Sequence, residues 1–163
     1  MTMRKHKWIL LAEDNAHDAD LTLRALKAND ANHSVTVAQD GAEALDCLYQ
    51  RGRFRASGTD PPALVLLDLK MPRVDGLEVL RTVKSDPELK SIPVVVFSSS
   101  SEESDRARCY ELGANAYVVK PVGYHKYTEA LLKTRDFWMN INEPPPQGAA
   151  REKLEAASAG ATA

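Results

Sequence analysis

The sequence predicts a doubly wound α/β domain built on a parallel sheet, and three observations carry that reading. Strand and helix signals alternate five times along the chain. The inner runs Trp8–Ala12, Ala63–Leu67 and Val94–Phe97 are apolar almost throughout, as strands covered on both faces must be. Four runs end in polar residues, namely Glu13-Asp14, Asp68, Ser98 and Lys120-Pro121, and in an open parallel sheet the chemistry gathers at the carboxyl ends of the strands.

The elements follow in order. After the first strand, Ala19, Leu23 and Leu26 fall at i, i+4 and i+7 and mark a helix over about Ala16 to Ala28. Ser34 to Ala38 alternates, with Val35 and Val37 on one side, as an edge strand does. A second helix, carrying Ala42, Leu45 and Leu48, starts after Asp40, a residue suited to the N-cap. A loop of about a dozen residues, Arg51 to Pro62, leads to the third strand. Leu77, Leu80 and Val83 give a third helix, which closes before Pro87 because proline pushes its predecessor out of the helical region. Pro93 to Phe97 precedes a polar helix from Ser101 to Leu112 that Gly113 ends. Ala116 to Val119 is the last strand, and Gly123 to about Asn142 the last helix. The domain is thus expected over residues 1–142, with a Pro-, Ala- and Gly-rich tail, 143–163, expected to be disordered.

Composition narrows the class. A chain of 163 residues, 44% apolar and 27% charged, suits one soluble domain. A net charge of −2 gives no general attraction to nucleic acid or an acidic membrane. No apolar run approaches the roughly 20 residues of a membrane span. Arg4, Lys5 and Lys7 precede an apolar run that Glu13 cuts too short for a signal peptide. Cys47 and Cys109 fall in helices without metal-ligand spacing, as reduced core thiols do. A cytoplasmic protein is expected.

Three carboxylates, a hydroxyl and an ammonium at one sheet edge suit a divalent cation and a phosphoryl group. Adjacent carboxylates in dry protein repel unless a cation sits among them. Mg2+ fits, because it takes one or two carboxylates, keeps several waters and shares oxygens with phosphate. Glu13-Asp14 reads alternatively as an acidic turn or helix cap, and Asp68 as a turn residue. A carboxylate can accept a phosphoryl group, with Ser98 and Lys120 binding its oxygens. A cis peptide before Pro121 would aim the Lys120 ammonium inward.

Over roughly Lys7 to Phe137 the chain resembles the receiver domain of two-component response regulators. Glu13-Asp14, Asp68 within Asp-Leu-Lys-Met-Pro-Arg-Val-Asp-Gly, Ser98, Tyr117 and Lys120-Pro121 carry the resemblance. It implies a flavodoxin-like (CheY-like) five-stranded parallel sheet of order 2-1-3-4-5, with Asp68 phosphorylated by a histidine kinase. By the family pattern Glu13, Asp14, Asp68 and the carbonyl of Lys70 hold Mg2+, Ser98 and Lys120 bind phosphoryl oxygens, and Tyr117 is a switch aromatic. Tyr117 also reads as an ordinary half-buried strand residue. Many receivers carry Asp at the place of Glu13, Thr at that of Ser98, and Ala at that of Ser99. Lys70 and Ser99 stand where a hydrolytic water would approach, which bears on the lifetime of the phosphorylated state.

A narrower resemblance, to single-domain regulators that partner bacterial phytochromes, rests on Ala12–Asn15 through Leu21–Leu26, the Arg51–Pro62 loop, Val96–Ser100 and Phe137-Trp138. About 20 residues follow the last helix, too few for a DNA-binding output domain, so output by protein contact is expected. An aspartyl-phosphate phosphatase of haloacid-dehalogenase type is the alternative, though Lys70 stands where that family needs a second Asp. A flavin-mononucleotide binder is excluded, because Glu13-Asp14 would repel the phosphate. The last helix presents an apolar stripe of Tyr127, Leu131, Thr134, Trp138 and Ile141. At 1.5 Å per residue it spans about 30 Å and overhangs the sheet. Phe137, Trp138 and Ile141 at its end either fold back on their own domain or form a homodimer interface.

Overall fold

The computed structural model describes residues 6–28, 33–55, 60–146 and 149–161. Arg4, Lys5 and the middle of the Arg51–Pro62 loop lie outside those stretches. Strands β1 (Trp8–Ala12), β2 (Ser34–Ala38), β3 (Leu64–Leu67), β4 (Val94–Ser98) and β5 (Ala116–Val119) form one parallel sheet of order β2-β1-β3-β4-β5. Helices α1 (Ala16–Lys27), α2 (Gly41–Leu48), α3 (Gly76–Ser85), α4 (Glu103–Glu111) and α5 (Tyr124–Asp136) connect or follow the strands. A tight turn at Gly52–Phe54 opens the long loop, burying Phe54 in the core, while the Trp8 indole donates to the Asp60 carbonyl to close it.

Side-chain alternation divides the core in two. Leu10, Val65, Leu67, Val94 and Val96 face α2, α3 and α4, where Leu48, Leu80, Val83 and Cys109 meet them. Ile9, Leu11, Leu64, Leu66, Val95 and Phe97 face α1 and α5, meeting Leu26, Tyr127 and Leu131. Helix starts are set by short polar side chains, as Asn15, Asp40 and Asp75 each accept a backbone N–H from the first turn.

Two cations anchor helices far from the strands' carboxyl ends. The Lys84 ammonium, in the last turn of α3, donates to the carbonyls of Lys90 and Ile92 and to Asn115 Oδ1, at 3.0, 2.7 and 2.8 Å. Asn115 Oδ1 also accepts from Val94 N, so one ammonium ties α3 to the entries of β4 and β5. Arg135, buried on α5, donates to the Leu26 carbonyl at 2.9 Å, placing a cation at the negative end of α1.

The end of α5 departs from expectation. The helix closes in a wider turn, Phe137–Ile141, in which Asn142 N donates to Phe137 O, an i→i+5 bond of 2.7 Å. The buried stripe is therefore Tyr127, Leu131, Arg135 and Met139 rather than the one expected. A four-residue repeat drifts off the face of a helix with 3.6 residues per turn, and the wide turn brings Met139 back to it. Lys7 then donates to the Met139 carbonyl at 2.7 Å, at the start of β1. The tail differs as well. A further helix, α6 (Ala149–Gly160), forms in the segment expected to lack order, its alanines being the strongest helix formers. Its described side chains from Glu155 onward are all exposed.

Replacing Lys84 with Met is expected to strip three acceptors of their shared donor and cost roughly 1.5–3 kcal/mol. Urea unfolding checks this, and an unchanged midpoint would contradict the role given to the ammonium.

Candidate functional site

The ladder runs one residue past the strands, and that extension builds the site. Glu13 N donates to Ala38 O, Asp68 N to Ala12 O, and Lys120 N to Ser98 O, at 3.0, 3.0 and 2.7 Å. The side chains after β1, β3 and β5 therefore meet at one edge, beside Ser98 at the end of β4. Glu13 and Lys120 are 4% and 8% exposed at the side chain, Ser98 is fully buried, Asp68 is partly so, and Asp14 stands exposed at the mouth. Gly76 is needed for this packing, because a Cβ there would collide with the Asp68 carbonyl.

Lys120 is the hub. Its ammonium lies 2.8 Å from Glu13 Oε2, 3.1 Å from Asp18 Oδ2 and 3.5 Å from Asp68 Oδ2. Burial opposes its charge, but the Glu13 hydrogen bond and the Asp68, Glu13 and Asp18 carboxylates outweigh that and hold its pKa above the ordinary lysine value. Burial, with a contribution from the Asp68 charge, pushes the Glu13 carboxyl up to about 7 against the pull of Lys120. One oxygen each from Glu13, Asp14 and Asp68 lies within 4.8 Å of the others. A hard all-oxygen set, with one carboxyl reluctant to ionise alone, fits a divalent cation.

The alternatives for these acids narrow. Asn15, not the acidic pair, caps α1, and its N–H donates to Glu13 Oε1 at 3.2 Å. Asp68 Oδ1 does serve its own turn by accepting from Leu69 N, while Oδ2 faces Lys120. Ser98 Oγ accepts from Ser100 N at 3.2 Å. The half-buried Tyr117 donates its hydroxyl to the Ser100 carbonyl at 2.9 Å, reaching the loop before α4. Lys70 and Ser99 are exposed. One expectation is corrected: every peptide bond among the described residues is trans, that before Pro121 included. Lys120 reaches its carboxylates from a trans backbone, which the Ser98 carbonyl already holds in register. Phe137, Trp138 and Ile141 lie away from this site, with the turn that Lys7 anchors at the start of β1.

Two contributors escaped the sequence. Arg73, in the loop after Asp68, has the left-handed φ of 63° that non-glycine residues seldom adopt. Its Nε and Nη2 both donate to Asp40 Oδ2, at 2.9 and 2.5 Å, so the loop carrying Asp68 and Lys70 is latched to the cap of α2. Burial works against the Asp40 charge, but the Glu43 N–H and Arg73 hold its carboxyl below the ordinary range. Asp18 is the other contributor, in the first turn of α1. Neither pairing has a sequence signal, because the partners stand 33 and 102 residues apart.

The sequence matches the response regulator receiver domain family over residues 9–132. Response regulator Rcp1 of Synechocystis sp. is 38% identical over 133 residues, 82% of this chain and 89% of its own. Its Mn2+-bound structure aligns over 86% of this chain and 99% of that chain at a TM-score of 0.78 and 36% identity. The phosphorylated cyanobacterial phytochrome response regulator RcpA aligns with a TM-score of 0.80 and 39% identity, over 86% of this chain and 99% of that one. The bacteriophytochrome response regulator AtBRR is 50% identical over 84% of this chain and 98% of its own, with a TM-score of 0.68.

Changing Glu13 to Gln together with Asp14 to Asn is expected to weaken divalent-cation binding roughly tenfold or more, about 1.4 kcal/mol at least. Calorimetric titration measures it, and an unchanged affinity would reduce the pair to an acidic turn.

Proposed function

The chain belongs to the response regulator receiver family, and we propose that it is a stand-alone regulator switched by phosphorylation of Asp68. The observation that carries this reading is the buried Lys120 ammonium, which meets Glu13 closely and Asp68 at a longer 3.5 Å. Asp68 is thus attracted without being locked in a tight ion pair, and one oxygen keeps its nucleophilic lone pairs.

The donor is a histidine kinase. An Asp68 oxygen attacks the phosphorus of a phosphohistidine, the P–N bond breaks, and the imidazole leaves with its electron pair. Lys120 and Ser98 then bind phosphoryl oxygens. Glu13, Asp14, Asp68 and the Lys70 carbonyl would hold Mg2+, which when bound would supply positive charge against the transferred group. Hydrolysis reverses the modification when water attacks the same phosphorus, the P–O bond to Asp68 breaks, and inorganic phosphate leaves the regenerated carboxylate, with Lys70 and Ser99 beside the water's approach. The protein acts on itself and turns over no separate substrate. The aspartyl-phosphate phosphatase reading is weaker, because Lys70 and not a carboxylate stands two residues beyond Asp68.

Tyr117 is the switch aromatic, since its bond to the Ser100 carbonyl lies two residues from Ser98 and breaks if Ser98 shifts toward a phosphoryl group. The cognate kinase is a bacterial phytochrome, by analogy with the named regulators above. The protein works in the cytoplasm; among the described residues no helix is long and apolar enough to cross a membrane. Output is by protein contact, without DNA.

A homodimer forms through the end of α5. Phe137 and Ile141 are 45% and 67% exposed, while Trp138 is half-buried against its own core and stacks edge-on with Phe137 at 5.0 Å. The two exposed residues make the contact and Trp138 backs them.

Asp68→Asn is expected to abolish labelling by acetyl phosphate in Mg2+, because the nucleophile is gone. Label persisting at the wild-type level would move the acceptor elsewhere. Sedimentation tests the assembly: the wild type should be dimeric at tens of micromolar, and Phe137→Ala/Ile141→Ala monomeric. A monomeric wild type, or a dimeric double mutant, would reject the interface.

A further inference from the structure

The Lys120 ammonium has three protons and three carboxylate neighbours, and one neighbour has no part in the chemistry above. That neighbour is Asp18, which comes from α1 rather than from a strand end. Its Oδ2 lies 3.1 Å from Nζ, and its side chain is 32% exposed against 8% for Lys120. The helix that carries it is fixed on both sides. Asp18 N donates to the Asn15 cap at 3.0 Å, and one turn on, the Thr22 hydroxyl pairs with the Tyr127 hydroxyl of α5 at 2.8 Å.

A lysine ends in a flexible four-carbon stem, and an ammonium held by one bond can swing about it. Glu13 alone, at 2.8 Å, would leave that freedom. A second acceptor, Asp18 Oδ2 at 3.1 Å, removes it, because the tetrahedral ammonium must then direct its remaining N–H between fixed limits. The carboxylate left for that N–H is Asp68, the most distant of the three.

We propose that Asp18 is a positioning residue for Lys120: together with Glu13 it takes two of the three ammonium N–H bonds and leaves the third aimed at Asp68 and any phosphoryl group carried there. This rests on the phosphoacceptor reading. Asp18 also keeps the ammonium from closing fully onto Asp68, so the nucleophile stays available before transfer. An acid in a first helical turn favours the helix dipole as well, and that role does not depend on Lys120.

The experiment compares Asp18→Ala and Asp18→Asn, each in the wild-type and Lys120→Met backgrounds. Two quantities are read: the rate of labelling by acetyl phosphate in Mg2+, and hydrogen exchange of the Lys120 ammonium by nitrogen-15 NMR without donor. Asp18→Ala should slow labelling roughly tenfold, as misplacement of a catalytic group does, and should speed ammonium exchange. Asp18→Asn keeps an acceptor oxygen and should recover most of the rate. In the Lys120→Met background Asp18→Ala should change labelling less than about twofold, since groups acting as a unit are non-additive. An equal loss in both backgrounds, or a wild-type rate and exchange in Asp18→Ala, would overturn the proposal. If label appeared somewhere other than Asp68, the phosphoacceptor reading would fall. The ammonium exchange would still decide whether Asp18 holds Lys120.

Discussion

The ion pair between Lys120 and Glu13 is 2.8 Å long and nearly closed to water at both ends. A buried ammonium needs carboxylates, and crowded carboxylates need positive charge. Neither side is complete alone, because Glu13 is also pressed by its own burial and by Asp68. The pair joins the exits of β1 and β5, which are not neighbours in the sheet, across the exits of β3 and β4. Its geometry is therefore a direct report on the alignment of four strand ends. Anything that adds charge at Asp68 must redistribute that arrangement.

Rigidity at the edge comes from loops held to one another. The Arg73–Asp40 latch fixes the segment after β3 to the cap of α2. The left-handed backbone at Arg73 costs conformational energy, which the bonds to Asp40 help to offset. On the other side, Tyr117 fixes β5 to the loop before α4, and the Ser100 hydroxyl of that loop donates to Asp105 at 2.5 Å. The loop after β3 is thus held by an ion pair, and the loop after β4 by a charge-assisted bond within it and a neutral one to Tyr117. The neutral bond is the weaker kind and easier to exchange.

Much of this was legible in the sequence, for a physical reason. Strands buried on both faces cannot hide their apolar character, and the residue after each one is placed at the edge by topology. Glu13, Asp68, Ser98 and Lys120 are therefore brought together as their positions after apolar runs imply. Asp18 and the Asp40–Arg73 pair were not legible, since their meaning depends on partners that only the tertiary structure supplies. The trans bond before Pro121 leaves no mark in the sequence, because a lysine stem is long enough to reach inward from it. On α5 the buried stripe leaves the α-period after Leu131, because the helix ends in a turn that closes i→i+5.

That wide turn changes how α5 behaves as a mechanical part. The thirteen residues of α5 make a rod about 20 Å long at 1.5 Å per residue. Its near end follows Lys120 closely in sequence. Its far end is clamped by Arg135 to α1 and, through Met139, by Lys7 to β1. The near end holds to α1 by a single hydroxyl pair, Tyr127 with Thr22, and a rod held more firmly at one end pivots rather than slides. A displacement of 1 Å at the Lys120 end becomes a tilt of about 3° over a 20 Å length. What reaches Phe137 and Ile141 is thus a change of angle with almost no change of position. An assembly built on that end would register the site as a hinge registers a lever.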